Sequence, residues 1–216
     1  MGTLYSTCPQ TGKSHESRSL RHTMSASEVI DLFGRPLKDL RISVTDRCNF
    51  RCRYCMPRER FDENHTFLPK RAFLSFDEIE KVVRSCIPLG LEKVRITGGE
   101  PLLRKDLPEL IEKLSKLDID IALTTNASLL KKNAKALHLA GLNRVTVSLD
   151  ALDPELHKQM SDSNISVDSV LEGIDEAVRV GLFPVKINCV VQRGVNEEEV
   201  SKLVNHFRGT GIVVRF

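Results

Sequence analysis

No apolar run in the 216 residues is long enough to span a membrane, and the first residues hold no hydrophobic core of the signal-peptide kind. Charge is nearly balanced, with 32 basic against 29 acidic residues and a net +3, too little to argue for a nucleic-acid partner. No P-loop and no G-x-G-x-x-G fingerprint occurs. Six cysteines are present, but their spacing is not that of a disulfide framework. Those absences leave an ordinary cytoplasmic-type chain, with 41% hydrophobic and 28% charged residues, long enough for one sizeable core.

Half of the cysteines sit in one stretch, Thr45 to Pro57, where Cys48, Cys52 and Cys55 have C-x3-C-x2-C spacing directly after a predicted strand. Thiolates are soft ligands suited to iron–sulfur clusters, zinc and copper(I). Zinc sites usually pair their ligands in separated units, and no second C-x2-C follows here. A four-iron cluster normally takes four ligands. Three thiolates therefore point to a cluster with an open iron, favoured over structural zinc or plain buried cysteines. Tyr54, beside Cys55, is placed to stack on or shield whatever fills the open position.

Residues 1 to about 27 are rich in Ser and Thr and carry Lys13, Arg18 and Arg21 against one acid, Glu16. Such a segment cannot bury a core. It is read as a flexible extension, continuing to about residue 37, with a transit peptide as the alternative. From Asp39 onward strands alternate with helices. Strands are expected at 40–45, 93–97, 119–124, 144–149, 185–191 and 212–216. Helices are expected from Ser75, at 107–117, 129–140, 153–160 and 167–180, and from an Asn196–Glu199 cap to Phe207. Ser75 with Glu78 makes a capping box, and Phe76, Ile79, Val82, Val83 and Cys86 form an apolar stripe. Such alternation means a parallel sheet, either open and doubly wound or part of a (β/α) barrel.

Strands buried on both faces read as apolar throughout, but these alternate. Arg41, Ser43, Arg95, Thr97, Thr124, Arg144, Thr146, Ser148, Lys186 and Asn188 share one parity; Val and Ile fill the other, with Cys189 among them. If the sheet curls, the polar face becomes a lumen where Arg41, Arg95 and Lys186 converge. Inward cations need anions, and a polyphosphate satisfies them. Thr97-Gly98-Gly99-Glu100-Pro101 follows strand two; the glycines allow close backbone approach to a ligand, and Glu100 can accept from an ammonium group.

The cysteine loop and the Gly-Gly-Glu-Pro turn together resemble the radical S-adenosylmethionine superfamily. The runs Phe33-Gly34-Arg35, Leu40 to Asn49, Val94 to Leu102, Leu123 to Asn126 and Val147 to Asp150 resemble, within it, the molybdenum cofactor biosynthesis protein A (GTP 3′,8-cyclase) family. The resemblance implies a partial (β/α)6 TIM-like barrel over 38–216 and a [4Fe–4S] cluster on Cys48, Cys52 and Cys55. It implies S-adenosylmethionine contacts at Tyr54, Gly99 and Ser148, with Glu100 near the methionine amine, and GTP contacts at Arg41, Arg95, Thr124 and Lys186. The implied reaction is one-electron cleavage of S-adenosylmethionine, hydrogen abstraction from C3′ of GTP and closure onto C8 of guanine. An electron donor is implied, with a homodimer allowed and neither nucleic acid nor membrane as partner. The compartment is cytoplasmic, or the mitochondrial matrix if the extension targets it. Similar proteins carry a second cysteine triad further on, so the chain is expected to match their first two-thirds, and Ala127 stands where they usually have glycine. Rival readings are another radical S-adenosylmethionine enzyme, an inactive fragment that binds cluster and nucleotide only, and a zinc-stabilised protein.

Overall fold

Ser75 starts the first helix as its spacing predicts: its side chain accepts from the Glu78 N–H, and the Glu78 carboxylate accepts from the Ser75 N–H. The helices over 130–139 and 167–180 both run out at glycines with positive φ, Gly141 and Gly181. The structure, a computed structural model, describes residues 29–216. The extension read for residues 1–27, with its basic residues and Cys8, lies outside the described residues. Just ahead of the first strand, Asp31 accepts from the N–H groups of Phe33 and Arg35 and pairs with the Arg35 guanidinium, closing a tight turn.

The elements alternate, with two helices between β4 and β5: β1 (Asp39–Ser43), α1 (Phe76–Cys86), β2 (Lys93–Thr97), α2 (Leu107–Ser115), β3 (Asp120–Thr125), α3 (Leu130–Leu139), β4 (Arg144–Ser148), α4 (Pro154–Ser161), α5 (Val167–Val180), β5 (Lys186–Asn188), α6 (Glu199–Phe207) and β6 (Val213–Arg215). All six strands are parallel and lie in sequence order. A doubly wound sheet reverses its order at a switch point; sequential order instead turns every crossover the same way and curls the sheet into a barrel wall. Among the described residues β6 does not pair back to β1, so the barrel is partial.

The apolar parity faces the helices. Val94, Ile96, Ile121, Leu123, Val145, Val147 and Ile187 are buried in one core with Leu110, Ile111, Leu137, Ile174 and Leu203 from the helices. Cys86 packs against this core and Cys189 is buried in it, as their parity predicts.

Three expectations need correction. Val82 is not part of the buried stripe; it is exposed, because the buried side of α1 is covered by Ile79 and Val83. β5 ends at Asn188, well short of Val191. The chain leaves the ladder there because the Val190 N–H turns to donate to the Asp150 carboxylate. Asn196 does not cap α6, whose first turn has no side-chain cap. Its amide instead donates to the Asp150 and Val190 carbonyls, while Glu199 accepts from the Leu152 and Asp153 N–H groups. Both polar side chains are spent on joining the loops after β4 and β5.

Candidate active site

The loop after β1 carries Cys48, Cys52 and Cys55 as free thiols. Cys55 and Met56 both donate their N–H to the Cys52 carbonyl at 2.9 Å, which coils the chain around Cys52. Arg51 donates its backbone N–H to the Ser161 carbonyl, and Arg58 pairs with Asp162, so the loop is fastened to the end of α4. Beneath it lies a cleft of about 190 Å³, open to solvent and lined by all three cysteines, Tyr54, Gly98, Gly99, Ser148, Asp150 and His157, among others.

Burial pushes the Cys48 thiol up and takes that of Cys52 to about 12. A thiolate cannot persist there unless a metal compensates its charge. Three free thiols on one loop, all lining an open cleft, fit a multi-iron group with a free corner.

The glycines of the second motif also pack against the cysteine loop. A Cβ on Gly98 would lie 2.6 Å from the Thr45 carbonyl oxygen, and one on Gly99 would lie 2.2 Å from that of Arg47. Gly99 donates to Thr45 and Glu100 to Arg47, at 2.7 and 2.8 Å. The Gly-Gly turn is therefore the seat of the cysteine loop's backbone, while also lining the cleft.

Glu100 is also engaged by its own chain. It is 1% exposed, and its carboxylate accepts from the Leu102 N–H, the Thr125 hydroxyl and the Asn126 N–H. Burial pushes its pKa up while those three donors pull it back. Glu100 thus clamps the loop after β2 to the end of β3. Ala127 follows at φ 62°, a left-handed conformation that a non-glycine residue adopts at a cost of about 1 kcal/mol. This backbone is why glycine suits the position.

Tyr54 reaches across the cleft and donates its hydroxyl to the Asp150 carboxylate at 2.6 Å. Burial, with the neighbouring carboxylate, pushes the phenol well above its usual range. Asp150 was quoted in the sequence only as part of a run, and its partner lies 96 residues away. Tyr54→Phe keeps the ring but leaves one oxygen of a buried carboxylate without a donor. We expect a loss of about 1–2 kcal/mol in chemical unfolding; an unchanged midpoint would mean the bond does not form in solution.

On the inner face the strands stack their polar residues in layers. Arg41, Arg95, Ala122 and Arg144 form one row; Thr124, Thr146 and Lys186 lie in the next, and Ser148, Asn188 and Arg215 in the one above. Successive rows are about 7 Å apart along the strands. Arg41, Thr124 and Ser148 line the cysteine cleft. Arg95 and Lys186 line a second basin with Lys93, Arg144 and Arg215. Lys93 and Arg95 pair with Asp39, and Arg144 with Asp120. Lys186 has no ion pair among the described residues; burial and the surrounding Arg144, Arg215, Lys93 and Arg95 lower its pKa. The four proposed nucleotide contacts are thus split between two adjoining cavities. Lys93, Arg144 and Arg215 join them; strand parity marked Arg144, and extended to the other two it is the signal that could have found them.

The profile of the Radical SAM superfamily matches residues 42–207. This chain belongs to that superfamily. Its cofactors are a [4Fe–4S] cluster and S-adenosylmethionine, which the cysteine cleft suits. Among curated relatives, the GTP 3′,8-cyclase of Acidothermus cellulolyticus is 54% identical over 190 residues, 87% of this chain and 52% of that protein. That of Staphylococcus carnosus is 52% identical over 191 residues, 88% of this chain and 56% of the relative. The chain spans about half the length of the curated relatives it matches, less than the two-thirds expected. Two solved structures share the fold. Streptococcus suis SuiB bound to S-adenosylmethionine has a TM-score of 0.67 at 24% identity, covering 82% of this chain and 39% of that one. Methylornithine synthase PylB has a TM-score of 0.63 at 18% identity, covering 84% and 53%. As a radical SAM protein the chain has its six-strand sheet open, and none of its described helices is long and apolar enough to cross a membrane.

Proposed function

We propose that this radical SAM chain carries the catalytic barrel of a GTP 3′,8-cyclase, which converts GTP to (8S)-3′,8-cyclo-7,8-dihydroguanosine 5′-triphosphate on the way to molybdopterin. What carries the reading is one shared surface: the cysteine cleft and the cationic basin occupy adjoining layers of the same inner sheet face. Identity above 50% to two named cyclases supports the same substrate.

When bound, the cluster and S-adenosylmethionine supply one-electron chemistry that abstracts hydrogen from the substrate. The protein's part is placement. Cys48, Cys52 and Cys55, which line the cleft, would hold the cluster. Tyr54, fixed by Asp150, and the backbone at Gly99 shape the space beside it, with Ser148 facing in from the end of β4. Arg95 and Lys186, with Lys93 and Arg215, present a cationic floor for the triphosphate, and Arg41 and Thr124 stand where the two cavities meet. The Thr124 hydroxyl is buried without a partner, and a nucleotide group beside it would supply one. A one-electron donor is required, and free thiols of this kind belong in a reducing compartment.

Calorimetry on the anaerobically reconstituted chain tests the assignment. Arg95→Ala is expected to weaken GTP about tenfold or more, since a charge-assisted hydrogen bond contributes roughly 1.5–3 kcal/mol. Iron content should stay unchanged. Equal affinity in the variant would remove Arg95 from the nucleotide site. Reduced chain supplied with GTP and S-adenosylmethionine should yield a nucleotide isomeric with GTP; tight GTP binding without any such product would reduce the chain to a binding fragment.

A further inference from the structure

Asn126 stands outside every role described so far. It sits in the loop after β3, 8% exposed, facing the cysteine cleft. Each of its polar groups is held. The backbone N–H goes to the clamped Glu100 carboxylate at 2.7 Å. The side-chain oxygen accepts from the Ser128 N–H and hydroxyl, at 3.0 and 2.7 Å. One amide N–H donates to the Asn49 side-chain oxygen at 2.9 Å, and Asn49 closes the ring by donating to Ser128 at 2.8 Å. The same amide nitrogen lies 4.0 Å from the Cys48 sulfur. That sulfur already accepts the Phe50 backbone N–H at 3.4 Å.

Two neighbours, Ser128 and Asn49, therefore leave the Asn126 carboxamide a single orientation, and its remaining N–H faces Cys48. A neutral thiol accepts weakly at this distance, whereas a metal-bound thiolate is a stronger acceptor. We propose that Asn126 is a positioning residue for the cluster: it gives the Cys48 thiolate a fixed side-chain N–H donor and so sets the cluster's reduction potential. This rests on the reading of Cys48 as a cluster ligand. Hydrogen bonds to cluster sulfurs are one of the protein's levers on potential. The reduced cluster carries the greater negative charge, so a donor favours it, and losing the donor makes the cluster harder to reduce.

The test is an EPR-monitored redox titration of the reconstituted full chain, with iron and sulfide counted in every sample. Asn126→Asp keeps both acceptor contacts to Ser128 and loses the donor; Asn126→Leu loses the donor without adding charge. Both are expected to lower the ratio of reduced to oxidised cluster at fixed potential about tenfold, ~59 mV for a one-electron couple. Iron content should match the parent. Ser128→Ala removes only the hydroxyl; the backbone N–H at 128 and the Asn49 oxygen still aim the carboxamide, so the shift should be small. A shift in the aspartate variant alone assigns the effect to charge and overturns the proposal. An equal shift in Ser128→Ala assigns it to loop structure and overturns it likewise. A parent chain that assembles no four-iron cluster sinks the cluster reading itself, and this inference with it.

Discussion

Cys52→Ala is expected to assemble no four-iron cluster: after anaerobic reconstitution, iron and sulfide per chain should fall to the background of a thiol-blocked control. Cys52 is the pivot of the loop, since its carbonyl accepts two backbone donors, Cys55 and Met56. Its sulfur lines the cleft with those of Cys48 and Cys55. A four-iron cluster needs four ligands, and a loop that offers three has none to spare. The fold should survive the change. Cys52 is outside the hydrophobic core, so far-UV circular dichroism and the main unfolding transition of the metal-free protein should be unaltered. A variant that keeps full iron content and visible absorption would count against the assignment of Cys52.

Gly99→Ala should harm the protein nearly as much, although the change is one methyl group. The added carbon would lie 2.2 Å from the Arg47 oxygen, 2.5 Å from the Arg47 carbonyl carbon and 3.0 Å from the Cys48 nitrogen. All three are backbone atoms, so no side-chain rotation relieves the contact. The loop must lift, and the bonds from Gly99 to Thr45 and from Glu100 to Arg47 stretch or break. Overpacking costs about 1–3 kcal/mol and a strained buried hydrogen bond about 1 more. The sum, about 2–4 kcal/mol, should lower Tm by roughly 5–15 °C at this chain length. Cluster loading should fall with it, because the displaced atoms include the Cys48 backbone. Gly194→Ala is the comparison. Gly194 has φ +71° with nothing near its Cβ position, so its substitution carries only the left-handed backbone cost, about 1 kcal/mol. If both alanines behave alike, the close seating of the two loops is not what Gly99 provides.

Much of the fold was legible because its signals are local. The Ser75–Glu78 box spans one helical turn, and Gly141 and Gly181 end helices by their own backbone freedom. Strand parity is local too. It separated Ile96, Ile121 and Val147, which face the helices, from Arg95, Thr124 and Lys186, which line the inner cavities. The failures are equally instructive. Asn196 and Glu199 have the spacing of a cap, yet both side chains bond to the loop after β4, more than 40 residues away. β5 has a run of strand-forming residues up to Val191, but the Asp150 carboxylate draws Val190 out of the ladder. A local preference of a few tenths of a kcal/mol yields to a buried carboxylate's need for donors.

The candidate site divides in the same way. C-x3-C-x2-C spacing within one loop determines a soft ligand set of three thiolates, and no distant contact is needed to see it. Alternation along each strand determines which cations point inward. Sequence alone did not decide what those groups meet. Gly98 and Gly99 serve the cysteine loop's own backbone, Glu100 is spent on Thr125 and Asn126, and Tyr54 is steered by Asp150. It also did not decide that the cations would divide between a cleft shared with the thiols and a basin beside it. Those pairings join residues on different strands, and only the sequential, one-handed curl of the sheet brings them within reach. Spacing and period act over a few residues, so the chain states them directly; convergence depends on register between strands, which exists only once the sheet has formed.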